Sequence, residues 1–496
     1  MDIQFEQKTI KCLHTILQQT AIREETQELR LPDQLPDVGR IVGCYGQYVV
    51  RGKEWRSSGM SVSGGIMVWV LYIPEGSATP VSLESWIPYQ HKWDFPESQR
   101  DGFICVQPSI LAMDARSVSA RKIIVRATVG LMAKAQNMAQ ENYYVPDAPD
   151  EDIQLLKHTY PMELPMEFGE KVLTIEETIP LGDSQLNVEQ ILCFELSPVI
   201  EEHKVMVTRL VYKGKGNLHL LYLSDGKVHS WDGQVSFSQY ADLDREYTNH
   251  SSARIQPVMT NLEVEYQDGT LTVKASAAVQ FTIYDRVMME VVEDAYSTKR
   301  SVETAKKPWT MPVQLQTITQ NLELKQSISE SIGRMVDIRS FLQEPLISRS
   351  DTTSLDVEGD MSILYYDMDG ELQGYSAKAH ASMPMMTDDD AFLCANVRLE
   401  SPGSWKASGE GLTVTQQVVA TLDFTSKNGP EMVYELKVGE QQESDPDRPS
   451  IIIMRCKDQV LWDIAKESGS TVDAIREVNH LDGDPEPGQL LLIPVC

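Results

Sequence analysis

Apolar and polar positions alternate through most of the chain, and the alternation predicts short β-strands. Val68, Val70 and Tyr72 alternate before Pro74 and Gly76, and Leu218, Leu220 and Tyr222 do so before Asp225-Gly226. A period of two gives a strand one buried face, and Asp-Gly favours the left-handed backbone of a tight hairpin turn. Further alternating strands are expected at residues 123–129, at 271–277 behind a second Asp-Gly (Asp268-Gly269), and at 412–418. Residues 1–30 fit a strand or a helix, since Ile10, Leu13, Ile16 and Leu17 fall on one helical face. The period changes only in the last 46 residues. There Ile451-Ile452-Ile453-Met454-Arg455 reads as a strand, and Leu461, Ile464 and Ala465 lie on one face of a helix. Gly469 suits the left-handed position behind that helix, and Ser470 and Thr471 offer caps for a second helix burying Val472, Ile475 and Val478 and ending near Asn479. Pro487-Gly488 then turns the chain into Leu490-Leu491-Leu492-Ile493-Pro494, completing a βααβ module.

Three segments align without a gap over 39 residues, opening at Val38-Gly39-Arg40, Val188-Glu189-Gln190 and Ile332-Gly333-Arg334 and closing at Gly76, Gly226 and Gly370. Each carries a Tyr 34 residues after its opening residue, and the segments are spaced by 150 and 144 residues. That spacing exceeds a solenoid period, so each segment marks a whole domain. A looser recurrence joins Ile87-Pro88-Tyr89, Phe237-Ser238-Gln239-Tyr240 and Met383-Pro384-Met385. The predicted fold is mainly β: three repeated sandwich-like domains followed by the small βααβ module. The serine-rich run 57–65 and Gly214-x-Gly216 are expected as a loop and a turn.

Composition shifts set the expected boundaries. Residues 1–30 form an N-terminal segment, 31–140 the first repeat, 141–172 a Pro- and acid-rich linker with one helical turn, and 173–302 the second repeat. Residues 303–318 form a shorter linker, 319–439 the third repeat, 440–449 an acidic tether and 450–496 the terminal module.

A net charge of −29 argues against nucleic acid or an anionic lipid surface as the main partner. No basic-then-apolar leader opens the sequence, and the longest strong apolar run, residues 66–73, is too short to cross a bilayer, so no membrane insertion is expected. Seven scattered cysteines without a Cys-x-x-Cys pair read as free thiols in a reducing compartment, which predicts a cytoplasmic protein. Local motifs for a nucleotide loop, a zinc-binding His pair or a nucleophile elbow are absent from the sequence, so no enzyme, cofactor or metal site is expected. Asp388-Asp389-Asp390 reads as a solvated turn.

The terminal module resembles a LysM domain. The resemblance rests on Leu461-Trp462-Asp463-Ile464-Ala465, Thr471-Val472-Asp473-Ala474-Ile475, Asn479 and Pro487-Gly488-Gln489 with the closing Leu492-Ile493-Pro494. It implies a binding function in a groove between two loops, with Lys457, Asp458, Gln459, Trp462, Asn479, Leu481, Asp482, Asp484 and Glu486 as the partner-binding residues. Asp458-Gln459-Val460 stand where the family has Gly-Asp-Thr, which weakens glycan binding. The acids Asp482, Asp484 and Glu486 suit a basic protein partner. Trp462 fits either an exposed anchor or the module's own packing. Three repeats ahead of such a module resemble the SPOCS-domain proteins of spore-forming Firmicutes, of the SipL type. That resemblance implies a non-enzymatic scaffold in spore coat assembly on the mother-cell side of the forespore. Its implied partner is the coat's basement-layer ATPase, with self-association through sheet surfaces as a further mode. The alternative partner is peptidoglycan glycan, bound through the LysM-like module.

Overall fold

The computed structural model describes residues 2–3, 5–146, 152–181, 187–310, 313–349, 353–385, 391–400, 402–408, 411–426, 429–441, 449–457 and 459–495. After the two-residue strand β1 (Asp2–Ile3), the first unit runs β2 (Phe5–Arg30), β3 (Val38–Arg56), β4 (Gly59–Pro74), β5 (Val81–Asp94), β6 (Phe103–Ser119) and β7 (Lys122–Pro146). Its middle strands form one sheet in the order β3-β4-β5, and the outer ones form another in the order β2-β7-β6. The second unit repeats the plan with β8 (Ile153–Pro180), β9 (Gln190–Val205), β10 (Arg209–Ser224), β11 (Lys227–Asp242), β12 (Ser252–Gln267) and β13 (Thr270–Ser297). In the third unit some strands are broken into pieces. It comprises β14 (Arg300–Pro308), β15 (Gln314–Ile328), β16 (Ile332–Leu342), β17 (Leu346–Arg349), β18 (Thr353–Asp367), β19 (Leu372–Met385), β20 (Ala391–Leu399), β21 (Ser404–Ser408), β22 (Gly411–Ser426) and β23 (Glu431–Gln441). A single pair, Gln314–Glu163, joins the outer sheets of units two and three.

The expected turns form as their chemistry requires. Asp225-Gly226 and Asp268-Gly269 all have positive φ, between 49° and 79°, which is the two-residue hairpin geometry. Of the two readings open for the N-terminal segment, Phe5–Arg30 takes the strand, because β2 pairs with β7 along its whole length. Other expectations are corrected. Most of the expected linker 141–172 is strand: β7 continues to Pro146 and β8 begins at Ile153, where β13 supplies its hydrogen bonds. The 303–318 linker likewise lies largely in β14 and β15. Proline is tolerated in these strands where no ladder N–H is required. The expected loop at 57–65 is a turn at Ser57-Ser58 followed by β4. There Gly64 and Gly65 are needed because a Cβ would meet the Val49 carbonyl at 2.1 Å and the Trp86 ring at 2.1 Å. Gly214-x-Gly216 lies inside β10, where the Val199 carbonyl comes within 2.0 Å of a would-be Gly214 Cβ. The tether residues 442–448 and the acids 388–390 lie outside the described residues.

The third strand of each unit shows how the units assemble. Ile66, Val68, Val70 and Tyr72 of β4 point into their own sandwich, whereas Trp69 and Leu71 join a core shared by all three units. In β18, Met361, Ile363 and Tyr365 face inward and Leu364 and Tyr366 face the shared core. A strand buried on both faces loses its polar alternation, which is why residues 66–73 read as an unbroken apolar run. The seams close a ring, with the second strand of each unit against the fourth strand of the preceding one: β9 on β5, β16 on β11 and β3 on β19. Arg334 donates to the Val228 carbonyl at 2.8 Å, and Arg40, its counterpart in the repeat, donates to the Leu372 carbonyl at 2.8 Å. At the remaining seam the counterpart is Gln190. There Gln47 accepts from the Leu196 N–H (3.1 Å), and Gln280 bonds both the N–H and the carbonyl of Val106. The first and last strands of each unit run on as two-stranded ribbons: β2 with β7, β8 with β13, and β14 with β23. The three ribbons pack together over Cys12, Met162, Leu164, Met289, Val291, Trp309 and Met432.

Candidate functional site

The terminal module is built as its residue pattern predicts, from β24 (Ile451–Arg455), α1 (Leu461–Ser468), α2 (Val472–Asn479) and β25 (Leu490–Pro494), with β24 antiparallel to β25. Leu461, Ile464, Ala465, Ile475, Leu491 and Ile493 are buried between helices and sheet. Gly469 ends α1 in left-handed geometry (φ 64°), and the Thr471 hydroxyl caps α2 by accepting from the Ala474 N–H at 3.1 Å. Val478 is a correction: it is 46% exposed and takes no part in the core. The last turn of α2 rotates it outward, and Asn479 makes the inward contact.

Several expected partner-binding residues hold the module together. Asn479 accepts from the Leu492 N–H (2.8 Å) and donates to the carbonyls of Leu492 (2.6 Å) and Ile475 (2.8 Å), standing in for a strand on the edge of β25. Asp484 accepts from the Leu461 N–H at 2.9 Å, so one groove loop caps the helix that follows the other. Leu481 packs on the module's core. Lys457, Asp482 and Glu486 are exposed and Gln459 is half-buried, while Asp458 lies outside the described residues.

Trp462 packs against the module's own core, one of the two expected readings, and it also seats the module on the second unit. Its indole N–H donates to Asp294 of β13 at 2.9 Å, and its ring meets Tyr296 edge-on with centroids 4.8 Å apart. Lys466 donates to the same Asp294 oxygen at 2.7 Å, and the Tyr296 hydroxyl donates to the Ser470 carbonyl at 2.9 Å. Tyr296 is 5% exposed and is enclosed by the module's core. Burial opposes the ionised form of Asp294, but the bonds from Lys466 and Trp462 outweigh it and hold the carboxyl below its ordinary range. Sequence reasoning missed Asp294, Tyr296 and Lys466 because the contacts span 168 to 174 residues and carry no local signature.

A second cluster of charge lies buried at the seam of units two and three. His219 meets Asp232 at 2.6 Å and Asp337 at 3.4 Å; Arg339 meets Asp337 at 3.3 Å and Glu195 at 2.7 Å. Asp337 is buried and Arg339 half-buried on β16, so the cluster pairs two strand faces rather than opening to a substrate. Cys44, Cys105, Cys193, Cys394 and Cys456 are free thiols, and burial raises the Cys12 thiol to about 11, which makes it a poor nucleophile. Among the described residues no group of His, Cys, Asp and Glu has the geometry of a metal site. No described helix is long and apolar enough to cross a membrane.

Residues 187–271 match the family model for the SipL, SPOCS domain, which places the match over the second unit from just before β9 to the start of β13. Residues 457–494 match the model for the LysM domain. No curated protein and no solved structure matches the chain.

Proposed function

We propose that this chain, which joins a SPOCS domain to a LysM domain, is a non-enzymatic adaptor in spore coat assembly. In this reading the ring of three units is the scaffold, and the LysM module presents its groove to the partner. The basement-layer ATPase of the coat is the proposed partner. The observation that carries the reading is the pairing of the two domain matches on one chain, with the module seated on β13 through Asp294, Tyr296 and Trp462. That seat engages α1 and the turn after it, while Lys457, Asp482 and Glu486 stay exposed and available to a partner. Three acids within five residues favour a basic protein surface over a neutral sugar.

Peptidoglycan binding is the second reading, favoured by the LysM match. Two measurements on the full chain separate them: co-sedimentation with insoluble peptidoglycan, and co-purification with the purified coat ATPase, each repeated on a chain lacking residues 450–496. ATPase capture that needs residues 450–496, without sedimentation, supports the adaptor. Sedimentation without ATPase capture replaces it with the glycan reading.

A further inference from the structure

The sheet of the LysM module is bare on one face. Ile451 and Ile453 of β24 and Leu490 and Leu492 of β25 are between 39% and 63% exposed, while Ile452, Met454, Leu491 and Ile493 turn inward to the helices. Cross-strand partners share a face, so the pairs Ile453–Leu492 and Arg455–Leu490 hold the four aliphatics side by side. The seat on the second unit engages α1 and the turn after it, and the outer face of the sheet stays in solvent. Residues 451–496 carry eight acids, yet none lies on β24 or β25.

The two edges of this sheet differ. On the β25 side Asn479 bonds both the N–H and the carbonyl of Leu492. The β24 edge has no such brace among the described residues. The ladder of the module is bonded at Ser450, with Val495, and at Cys456, with Gln489. Bonded and non-bonded pairs alternate in an antiparallel ladder, so Ile452 and Met454 are the bonded residues between them. The backbone groups of Ile451, Ile453 and Arg455 therefore point away from β25 along an open edge. Such edges are ordinarily guarded by a lysine, a proline or a bulge, and residues 451–454 contain none of these.

The open edge is symmetric about Ile453, which makes it self-complementary. A two-fold axis there sets Ile453 against its own copy and Ile451 against Arg455 of the second copy, and every outward backbone group of the strand gains a partner. The same axis joins the two bare faces into one. Elsewhere two chains of net charge −29 repel each other, whereas on the acid-free sheet they meet without opposed acids. The surface removed from water comes to roughly 1,000 Å², the lower end for a specific interface.

We propose that β24 pairs antiparallel with β24 of a second copy of this chain, giving a four-stranded sheet across two LysM modules and a weak dimer. This pairing lies outside the adaptor reading and does not depend on what the groove binds.

Sedimentation equilibrium of the full chain, from about 1 to 100 μM, is expected to show a monomer–dimer equilibrium. Ile453→Lys sets two ammonium groups on the axis and should weaken it about ten-fold or more. Ile453→Pro keeps an apolar residue and spares the module's own ladder, which does not use that N–H, but deletes the central intermolecular bonds; it should weaken the dimer as much. Hydrogen exchange on the unsubstituted chain should slow at Ile453 and Arg455 as concentration rises, and this decides the matter if either variant unfolds α1. A monomer throughout the range, a dimer indifferent to either substitution, or protection only elsewhere overturns the proposal. Protection of this edge that appears only when the coat ATPase is added assigns it to that partner and overturns the proposal too.

Discussion

Asp294 accepts two hydrogen bonds, from the Trp462 indole and the Lys466 ammonium, on a side chain that is 17% exposed. Asp294→Ala removes both and leaves the indole N–H unmatched, so the docking of the LysM module should weaken by about 1–2 kcal/mol. Faster hydrogen exchange in α1 with unchanged exchange in β4 checks this; unchanged exchange in α1 refutes it. The same carboxyl sets an acid limit. Its folded pKa lies below the ordinary value, so its contribution is present above the ordinary carboxylate range and is lost as pH falls through the lowered value. Acid should therefore loosen the module in the native chain more than in Asp294→Ala, seen as a change in tryptophan fluorescence. A simpler residue-scale case is Gly226, at φ 70° behind Asp225. Gly226→Val should cost about 1–2 kcal/mol in a urea titration, because a β-branched residue is strained there and the space around it is open.

At the scale of elements, β10 and β16 are tied across a seam by His219 and Asp337. Burial opposes charging of His219, yet Asp337 and Asp232 outweigh it, and the opposing Arg339, and raise its pKa. The imidazolium therefore stabilises the folded state fully below the ordinary value of about 6.5, and the contribution disappears as pH rises through the raised value. The urea midpoint is expected to fall on going from about pH 6 to alkaline pH, and His219→Gln should flatten that fall. Asp337→Ala leaves His219 and Arg339 buried with fewer counter-charges and should cost about 3 kcal/mol. A loss under 1 kcal/mol would mean that water or Glu195 already neutralises the site.

At the scale of the molecule, the shared core draws Tyr45, Trp69 and Leu71 from the first unit, most of its mass from the second, and Val336, Leu364 and Tyr366 from the third. The packed ribbons add a second place where all three meet. Units that bury each other's faces in this way cannot open independently at low cost. Calorimetry of the chain lacking residues 450–496 should give one transition for the ring; three resolved transitions would show beads on a string. Arg40→Ala, at the seam of units three and one, should lower that single transition without splitting it.

The sequence by itself determined the local structure. Two-residue alternation, Asp-Gly turns and the repeated 39-residue segment were enough to define a mainly β chain of three units, and helix periodicity with Gly469, Thr471 and Asn479 was enough to define the terminal module. Each of these is set by neighbours within a few residues, through turn geometry, capping or side-chain period. Tertiary structure decided the rest. It made strand β8 of residues 153–180, which include much of the expected proline-containing linker, because a partner strand 90 to 144 residues away satisfies its backbone. It gave Trp462 a contact with Asp294 and Tyr296 of the second unit and set Asn479 against the edge of β25. Those outcomes depend on which faces meet, and a sequence records the residues on a face without recording what that face will touch.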